Sequence, residues 1–225
     1  LEDIPSIVPT APAGRGYTSR QRMRRNVGQA LAWAGYAEIL PTPFIANDVF
    51  DVWELPADDP RRLTVKVQNP LESDYASIGT TLLPSMIESL RRNVTRGQRD
   101  VALYGVEQVS VPKSAKPFSP MPSVKQRPGK EELAELLASL PDQPLHVAVV
   151  ATGNRQLQGT WGAPESFTAA DAIESARVVA RAAGVEITVR NAEYLPWHPG
   201  RCAEILVGDT VVGHAGELHP QVCER

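Results

Sequence analysis

Residues 18–44 read TSRQRMRRNVGQALAWAGYAEILPTPF, and this stretch decides the fold. Thr18, with Gln21 three residues on, predicts a capping box that starts a helix. Met23, Val27, Ala30, Leu31 and Ala34 recur at helical spacing. Gly35 can take the left-handed conformation that ends a helix. The pattern therefore predicts a helix over Ser19–Ala34. Tyr36 to Leu40 follows with no room for a loop and reads as a strand, broken by Pro41 and Pro43. A long helix that feeds directly into a strand closed by proline is an unusual arrangement.

Outward from this unit, residues 1–17 are rich in proline and glycine and read as an arm or linker. Leu63, Val65 and Val67 alternate with polar residues, as in a half-buried strand, and Asn69-Pro70-Leu71 turns it. A second helix begins at Thr81, with Leu82, Leu83, Met86, Ile87, Leu90 and Val94 apolar. Pro84 falls in its first turn, where a missing N–H costs little, and Gly97 ends it. Val101 to Val111 is prone to form a strand. Residues 112–130 are proline-rich and basic, a loop inside the domain. A short helix at Glu131–Leu140 and a strand at Leu145–Val150 precede a loop over Gly153–Pro164. Thr168 with Asp171 caps a third long helix, which runs through Ala183 and stops at Gly184. Val185–Val189 reads as a strand. Ala203–Val207 and Thr210–Val212 flank Gly208-Asp209, a two-residue hairpin turn. Hairpins outnumber strand-helix-strand crossovers, so the expected class is α+β with a largely antiparallel sheet.

Composition narrows the function. The chain has 225 residues, 42% apolar and 22% charged, which excludes a disordered chain. No apolar run reaches the length of a membrane span, and the N-terminus lacks a basic-then-apolar signal pattern. A chain that opens on Leu1 reads as a piece of a longer one. Two cysteines, Cys202 and Cys223, fit a reducing compartment. The net charge of −3 argues against a generic polyanion binder. The positive charge is nonetheless clustered, in Arg15, Arg20, Arg22, Arg24 and Arg25, and again in Arg91, Arg92, Arg96 and Arg99.

Three constellations could carry chemistry. His198, Cys202, His214, His219 and Cys223, with Glu217, are zinc-type ligands, but they lack a Cys-x-x-Cys and their spacing is poor. Cys202 with His198 or His214 could form a nucleophile and base, yet Cys202 sits in an apolar strand, the setting of an inert thiol. The arginines could meet RNA phosphates, line an acidic partner, or form a solvated face. Trp33, Trp53, Trp161 and Trp197 read as core or interface anchors. No phosphate-cradling glycine loop is present.

The landmarks resemble one family. Gly35-Tyr36-Ala37-Glu38-Ile39, followed by Pro41 and Phe44, resembles motif 1 of class II aminoacyl-tRNA synthetases. Asn69-Pro70-Leu71, then Thr81-Leu82-Leu83-Pro84-Ser85-Met86-Ile87, then Arg92-Asn93 and Gly97, is similar to the β subunit of bacterial phenylalanine–tRNA ligases. So are His198-Pro199-Gly200-Arg201-Cys202-Ala203, Val212-Gly213 and Gly216-Glu217-Leu218-His219-Pro220. The resemblance implies a class II synthetase-like antiparallel sheet flanked by helices. It implies an arm at 1–17, a catalytic-like core at 18–220, and at 221–225 the start of a linker to a further domain, with other domains preceding the arm. It also implies a cytoplasmic (αβ)2 heterotetramer, away from any membrane, in which an α subunit joins phenylalanine to tRNA with ATP and Mg2+.

The same resemblance assigns roles by position. Arg20, Met23, Arg24, Val27 and Leu31 become candidates for the subunit contact. Independently of the resemblance, the clustered charge makes Arg91, Arg92, Arg96 and Arg99 candidates for RNA-phosphate contacts. Asn69, Pro70, Pro84, His198, Pro199, Gly200, Arg201, Gly216, Glu217, His219 and Pro220 become structural motif residues. A class II active site needs an arginine on the ATP α-phosphate in motif 2, where charge develops, and another on the γ-phosphate in motif 3. The corresponding stretches here, Leu103-Tyr104-Gly105-Val106-Glu107-Gln108 and Gly213-His214-Ala215-Gly216-Glu217-Leu218-His219, contain none. The expectation is a non-catalytic scaffold module that holds no cofactor or metal of its own. The alternatives are a free tRNA-binding module and a small His/Cys-dependent enzyme.

Overall fold

A computed structural model describes the chain except for residues 1, 2, 4, 11, 15, 115–120, 161 and 225. Arg15 and Trp161 thus lie outside the described residues, as does part of the proline-rich loop. The elements run α1 (Ser19–Trp33), β1 (Ala37–Glu38), β2 (Phe44–Ile45), α2 (Val49–Val52), β3 (Val65–Lys66), β4 (Ser77–Ile78), α3 (Leu83–Thr95) and β5 (Val101–Gln108). They continue with α4 (Lys130–Ser139), β6 (Leu145–Thr152), β7 (Asn154–Gln156), β8 (Glu165–Ser166), α5 (Ala169–Ala183), β9 (Thr188–Asn191), β10 (Trp197–Val207), β11 (Thr210–Leu218) and α6 (Pro220–Glu224). None of these helices is long and apolar enough to cross a membrane.

The opening unit forms for the reasons its sequence gives. Thr18 accepts from the Gln21 N–H, and the Gln21 side chain accepts from the Thr18 N–H at 2.8 Å. Gly35, at φ 96°, turns the chain after α1. The strand expected at Tyr36–Leu40 contracts to β1, because only Ala37 and Glu38 find ladder partners, Leu103 and Tyr104 of β5. That pair is parallel, while β5–β6, β9–β10, β10–β11, β2–β4, β3–β4 and β7–β8 are antiparallel. The strands form sheets ordered β1-β5-β6, β11-β10-β9, β2-β4-β3 and β7-β8. The class is α+β, as expected.

β5 is the centre of the packing. On one face Tyr104 and Val106 meet Val27 and Leu31 of α1. On the other, Val101 and Leu103 meet Leu82, just ahead of α3, Met86 of α3 and Val150 of β6. A strand buried on both faces reads as a nearly continuous apolar run, which Val101–Val106 is. Loss of Leu31, which is fully buried, would cost about 2–5 kcal/mol as an alanine. Ile45, Phe50, Trp53 and Leu55 form a separate cluster that Leu195 and Val222 join.

Several boundaries move. Within Leu63–Val67 the ladder to β4 covers only β3, and the Val67 N–H donates to the Ala76 carbonyl just beyond it at 2.8 Å. The loop expected at Gly153–Pro164 contains β7, which pairs with β8. The strand expected at Val185–Val189 becomes β9, because its register is set by Ala203–Leu206 of β10. The C-terminal hairpin turns at Gly208-Asp209 as read, with Val207 opposite Thr210, but both strands extend much further. Residues 221–224, expected to start a linker, belong to α6, and Val222 packs on the Trp53 cluster.

Candidate functional site

The strand where a class II centre would carry its phosphate-binding arginine is β5. Its middle, Leu103 to Val106, is buried between α1 and α3. At Gly105 an added Cβ would lie 3.0 Å from Pro41 and 3.1 Å from Met86 Sδ. A nucleotide has no free face on this strand to approach. In β11, Gly216 lies against the β10 backbone, where an added Cβ would fall 2.1 Å from the Arg201 carbonyl oxygen. The close approach accompanies the register shift between Trp197 and Cys202, so this glycine of the C-terminal motif is required by packing.

The His/Cys constellation does not converge. Cys202 sits opposite Gly216 and His214 opposite Glu204. The His214 ring stacks flat on Tyr194, with centroids 3.8 Å apart and an interplanar angle of 6°. Burial lowers the His214 pKa, so it favours the neutral form. Burial also pushes the Cys202 thiol up, the opposite of an activated nucleophile. Both cysteines are free thiols, Cys202 buried and Cys223 exposed. The His198 and His219 rings are 6.1 Å apart, and His219 Nδ1 accepts from the Gln221 N–H at 3.3 Å. Among the described residues, no three His, Cys, Asp or Glu side chains are placed to hold a metal ion. The cleft beside Trp53, Leu195, His219 and Val222 has a volume of about 100 Å³, against roughly 300–1,000 Å³ for small-molecule sites.

Sequence reasoning missed two well-connected arginines, Arg61 and Arg62, of which Arg61 is the more buried. Its Nε donates to Asp59 Oδ1 at 2.9 Å and its Nη2 to Asp59 Oδ2 at 2.7 Å. Its Nη1 donates to the Leu195 carbonyl at 2.7 Å, and its guanidinium lies 4.2 Å from the Tyr194 ring centroid. Arg61 thus ties the segment after α2 to the entry of β10, in a stack of Arg61, Tyr194 and His214 with Trp197 beside them. Its neighbour Arg62 donates to the Phe50, Leu55 and Pro56 carbonyls and pairs with Asp51. The available signal was Asp59-Pro60 ahead of two arginines: Asp59 caps a 3-10 turn with proline at its start.

The interface candidates divide. Val27 and Leu31 are in the chain's own core, which removes them from any outer contact. Arg24 reaches β5, donating to the Val106 carbonyl at 3.0 Å and pairing with Glu107 at 2.9 Å. Arg20 and Met23 remain on the outer surface, and the anchor Trp33 is 85% exposed at the end of α1. Trp53 is core, and Trp197 is half-buried in the aromatic stack. Arg91, Arg92, Arg96 and Arg99 are exposed at the C-terminal end of α3, and Arg92 pairs with Glu88 at 3.4 Å.

The other motif residues are spread over several turns and strands. Asn69 is exposed and Pro70 half-buried at the turn after β3, and Pro84 is buried in the first turn of α3. Pro199 and Gly200 are exposed in β10, with Gly200 at φ 87°. Arg201 pairs with Glu217 at 2.5 Å, and Pro220 starts α6.

A family model described as the phenylalanyl tRNA synthetase beta chain CLM domain matches residues 4–225. The phenylalanine–tRNA ligase beta subunit of Corynebacterium jeikeium is 95% identical over 225 residues, covering 100% of this chain and 26% of that protein. The proteins of the same name from Corynebacterium efficiens and Mycobacterium leprae are 63% and 52% identical, each again covering 100% of this chain and 27% of the relative. The chain thus spans about a quarter of the length of these curated relatives. Among solved structures, pyrrolysyl-tRNA synthetase from Desulfitobacterium hafniense superposes with a TM-score of 0.57 at 12% identity, covering 88% of this chain and 58% of that one. This likeness is one of fold.

Proposed function

Because the chain belongs to the phenylalanyl tRNA synthetase beta chain CLM domain family, we propose that it is the non-catalytic, catalytic-like module of a longer β subunit. In this reading it supports a separate α subunit that attaches phenylalanine to tRNA in the cytoplasm. The observation that carries the reading is the burial of β5 on both faces. The stretch that would stabilise charge developing on a phosphate, Leu103–Gln108, holds no cationic residue, and Pro41 and Met86 lie against it at Gly105. The described residues do not fit an ATP–Mg2+ site, so no chemical step is assigned to them. ATP and Mg2+ belong to the α subunit. What this chain supplies is a class II-like body.

We assign the outer surface of α1, with Arg20, Met23 and Trp33, to the contact with the α subunit in an (αβ)2 assembly. Arginine and aromatic residues are enriched at such surfaces. Exposed arginines at the end of α3 support phosphate contacts with tRNA in the assembled ligase. The test of the central claim is phenylalanine-dependent exchange of pyrophosphate into ATP. The β subunit free of α is expected to show none, and measurable exchange would overturn the non-catalytic reading.

A further inference from the structure

Residues 89–99 run from the second half of α3 to the approach to β5. They hold Arg91, Arg92, Arg96 and Arg99 and no acid. Met86, Ile87 and Leu90 turn into the core against β5 and β6, which leaves the four arginines exposed. Of these, Arg92 alone has an ion pair among the described residues, with Glu88. Elsewhere among the described residues, the arginines without an ion pair are Arg20, Arg22 and Arg25 of α1 and Arg127. Basic residues at a helix C-terminus complement its dipole. That role suits Arg92 and Arg96 but does not reach Arg99, which lies past the end of α3.

The surroundings of these arginines say what kind of partner fits. Their exposed neighbours are Thr95, Gly97 and Gln98, with Val94 as the one exposed apolar side chain of residues 89–99. A protein–protein contact has an apolar core inside a polar rim, which this surface lacks. Contacts with nucleic acid are more polar and much more positive. Residues 89–99 hold no aromatic side chain to stack on a base. The unpaired arginines of α1 differ, since exposed Tyr17 and Met23 accompany them.

The end of this basic stretch is also anchored. Gly153, between β6 and β7, has φ 77°. A Cβ there would collide with the Arg99 carbonyl oxygen and lie 2.5 Å from Asp100 Oδ1. The same Asp100 oxygen accepts from the Asn154 N–H at 2.6 Å. The Arg99 main chain is therefore held against the β6–β7 turn, and any side chain at 153 must displace it.

We propose that this corner is an RNA-backbone contact preset by the β6–β7 turn. Arg91, Arg96 and Arg99 meet tRNA phosphates without reading bases, and Gly153 is the positioning residue for Arg99. Phosphate contacts fix where a duplex lies and carry no sequence information. The inference rests on the tRNA-ligase reading above, and the experiment separates the two.

Equilibrium binding of tRNA is measured on the assembly of full-length β with α, from about 50 to 200 mM salt and well below its melting temperature. Each phosphate contact adds roughly 0.7–0.9 to the slope of log affinity against log salt. Arg96→Gln with Arg99→Gln is therefore expected to lower that slope by about 1.4–1.8 and to weaken low-salt binding at least about tenfold. The loss should be equal for the phenylalanine tRNA and for an unrelated tRNA. Arg177→Gln, at an arginine matched by Glu174, should change neither quantity. Gly153→Ala keeps every arginine, yet should weaken binding about threefold or more. Added to the Arg96/Arg99 double variant it should cost nothing further, because its effect runs through Arg99. An unchanged slope in the double variant overturns the phosphate contact. Unchanged tRNA binding with weakened assembly assigns the corner to an acidic protein surface and also overturns it. A loss confined to the phenylalanine tRNA refutes the sequence independence. If the arginine variants lose affinity while Gly153→Ala does not, or if the losses add, the anchor falls and the phosphate contacts stand. A wild-type assembly that binds no tRNA overturns the tRNA-ligase reading as well.

Discussion

Replacing Arg61 by methionine tests whether the Arg61–Asp59 pair holds the C-terminal hairpin to the rest of the chain. The two side chains are 13% and 10% exposed. The substitution removes two hydrogen bonds to Asp59, the bond to the Leu195 carbonyl and the cation over Tyr194. A charge-assisted bond contributes about 1.5–3 kcal/mol and a cation–π contact up to about 2 kcal/mol. Asp59 is also left as a nearly buried carboxylate, and breaking such a pair from one side costs about 3–5 kcal/mol. Arg62 remains close enough to act on Asp59, so the lower end, about 3 kcal/mol, is expected. At about 2–4 °C per kcal/mol for a chain of this size, Tm should fall by about 6–12 °C in a thermal melt. Arg190→Met is the control: its pair with Glu204 is 65% and 23% exposed and should cost less than about 1 kcal/mol.

The pH dependence has a definite sign. Hydrogen bonds from Arg61 hold the Asp59 carboxyl below its ordinary value, with burial opposing. A depressed folded pKa stabilises above the unfolded value, about 3.9, and that stabilisation is lost as pH falls through the folded value. The gap between wild type and Arg61→Met should therefore be full at neutral pH and narrow below about pH 4. An Arg61→Met variant no less stable than Arg190→Met, or a gap indifferent to acid, would refute the reasoning.

Gly216→Ala should destabilise by about 2 kcal/mol or more in denaturant melts, since the methyl meets the Arg201 carbonyl and the Cys202 Cα, both backbone. Titration of the native chain with a disulfide reagent should label Cys223 and spare Cys202, which reacts only on unfolding, because Cys202 is buried and Cys223 is not; rapid labelling of both would contradict the packing at Gly216. Arg20→Glu with Met23→Asp should weaken assembly with the α subunit at least about tenfold in sedimentation, as reversed rim charge and a lost apolar contact both oppose docking, and should leave the monomer's melt unchanged. Arg24 is left out of that test, since a glutamate there would face Glu107 within the chain.

Much of this was legible in the sequence where the determining interactions are local. The capping boxes at Thr18 and Thr168, the stops at Gly35 and Gly184, Pro84 in its first turn and the two-residue turn at Gly208-Asp209 each involve neighbours in the chain. The absence of an arginine from Leu103–Gln108 was equally plain. Tertiary structure alone decided what depends on residues far apart. Strand lengths followed the tertiary pairing: β1 pairs with β5 only at Leu103 and Tyr104, and β9 lies where β10 sets its register. An apolar stripe announces burial without naming the surface that buries it. Met23, Val27 and Leu31 share a helical face, yet only Val27 and Leu31 reach β5. Arg61 reads as one more surface cation until the fold brings Leu195 and Tyr194, more than a hundred and thirty positions away, against it. Its partners are assembled by packing, and sequence separation conceals them.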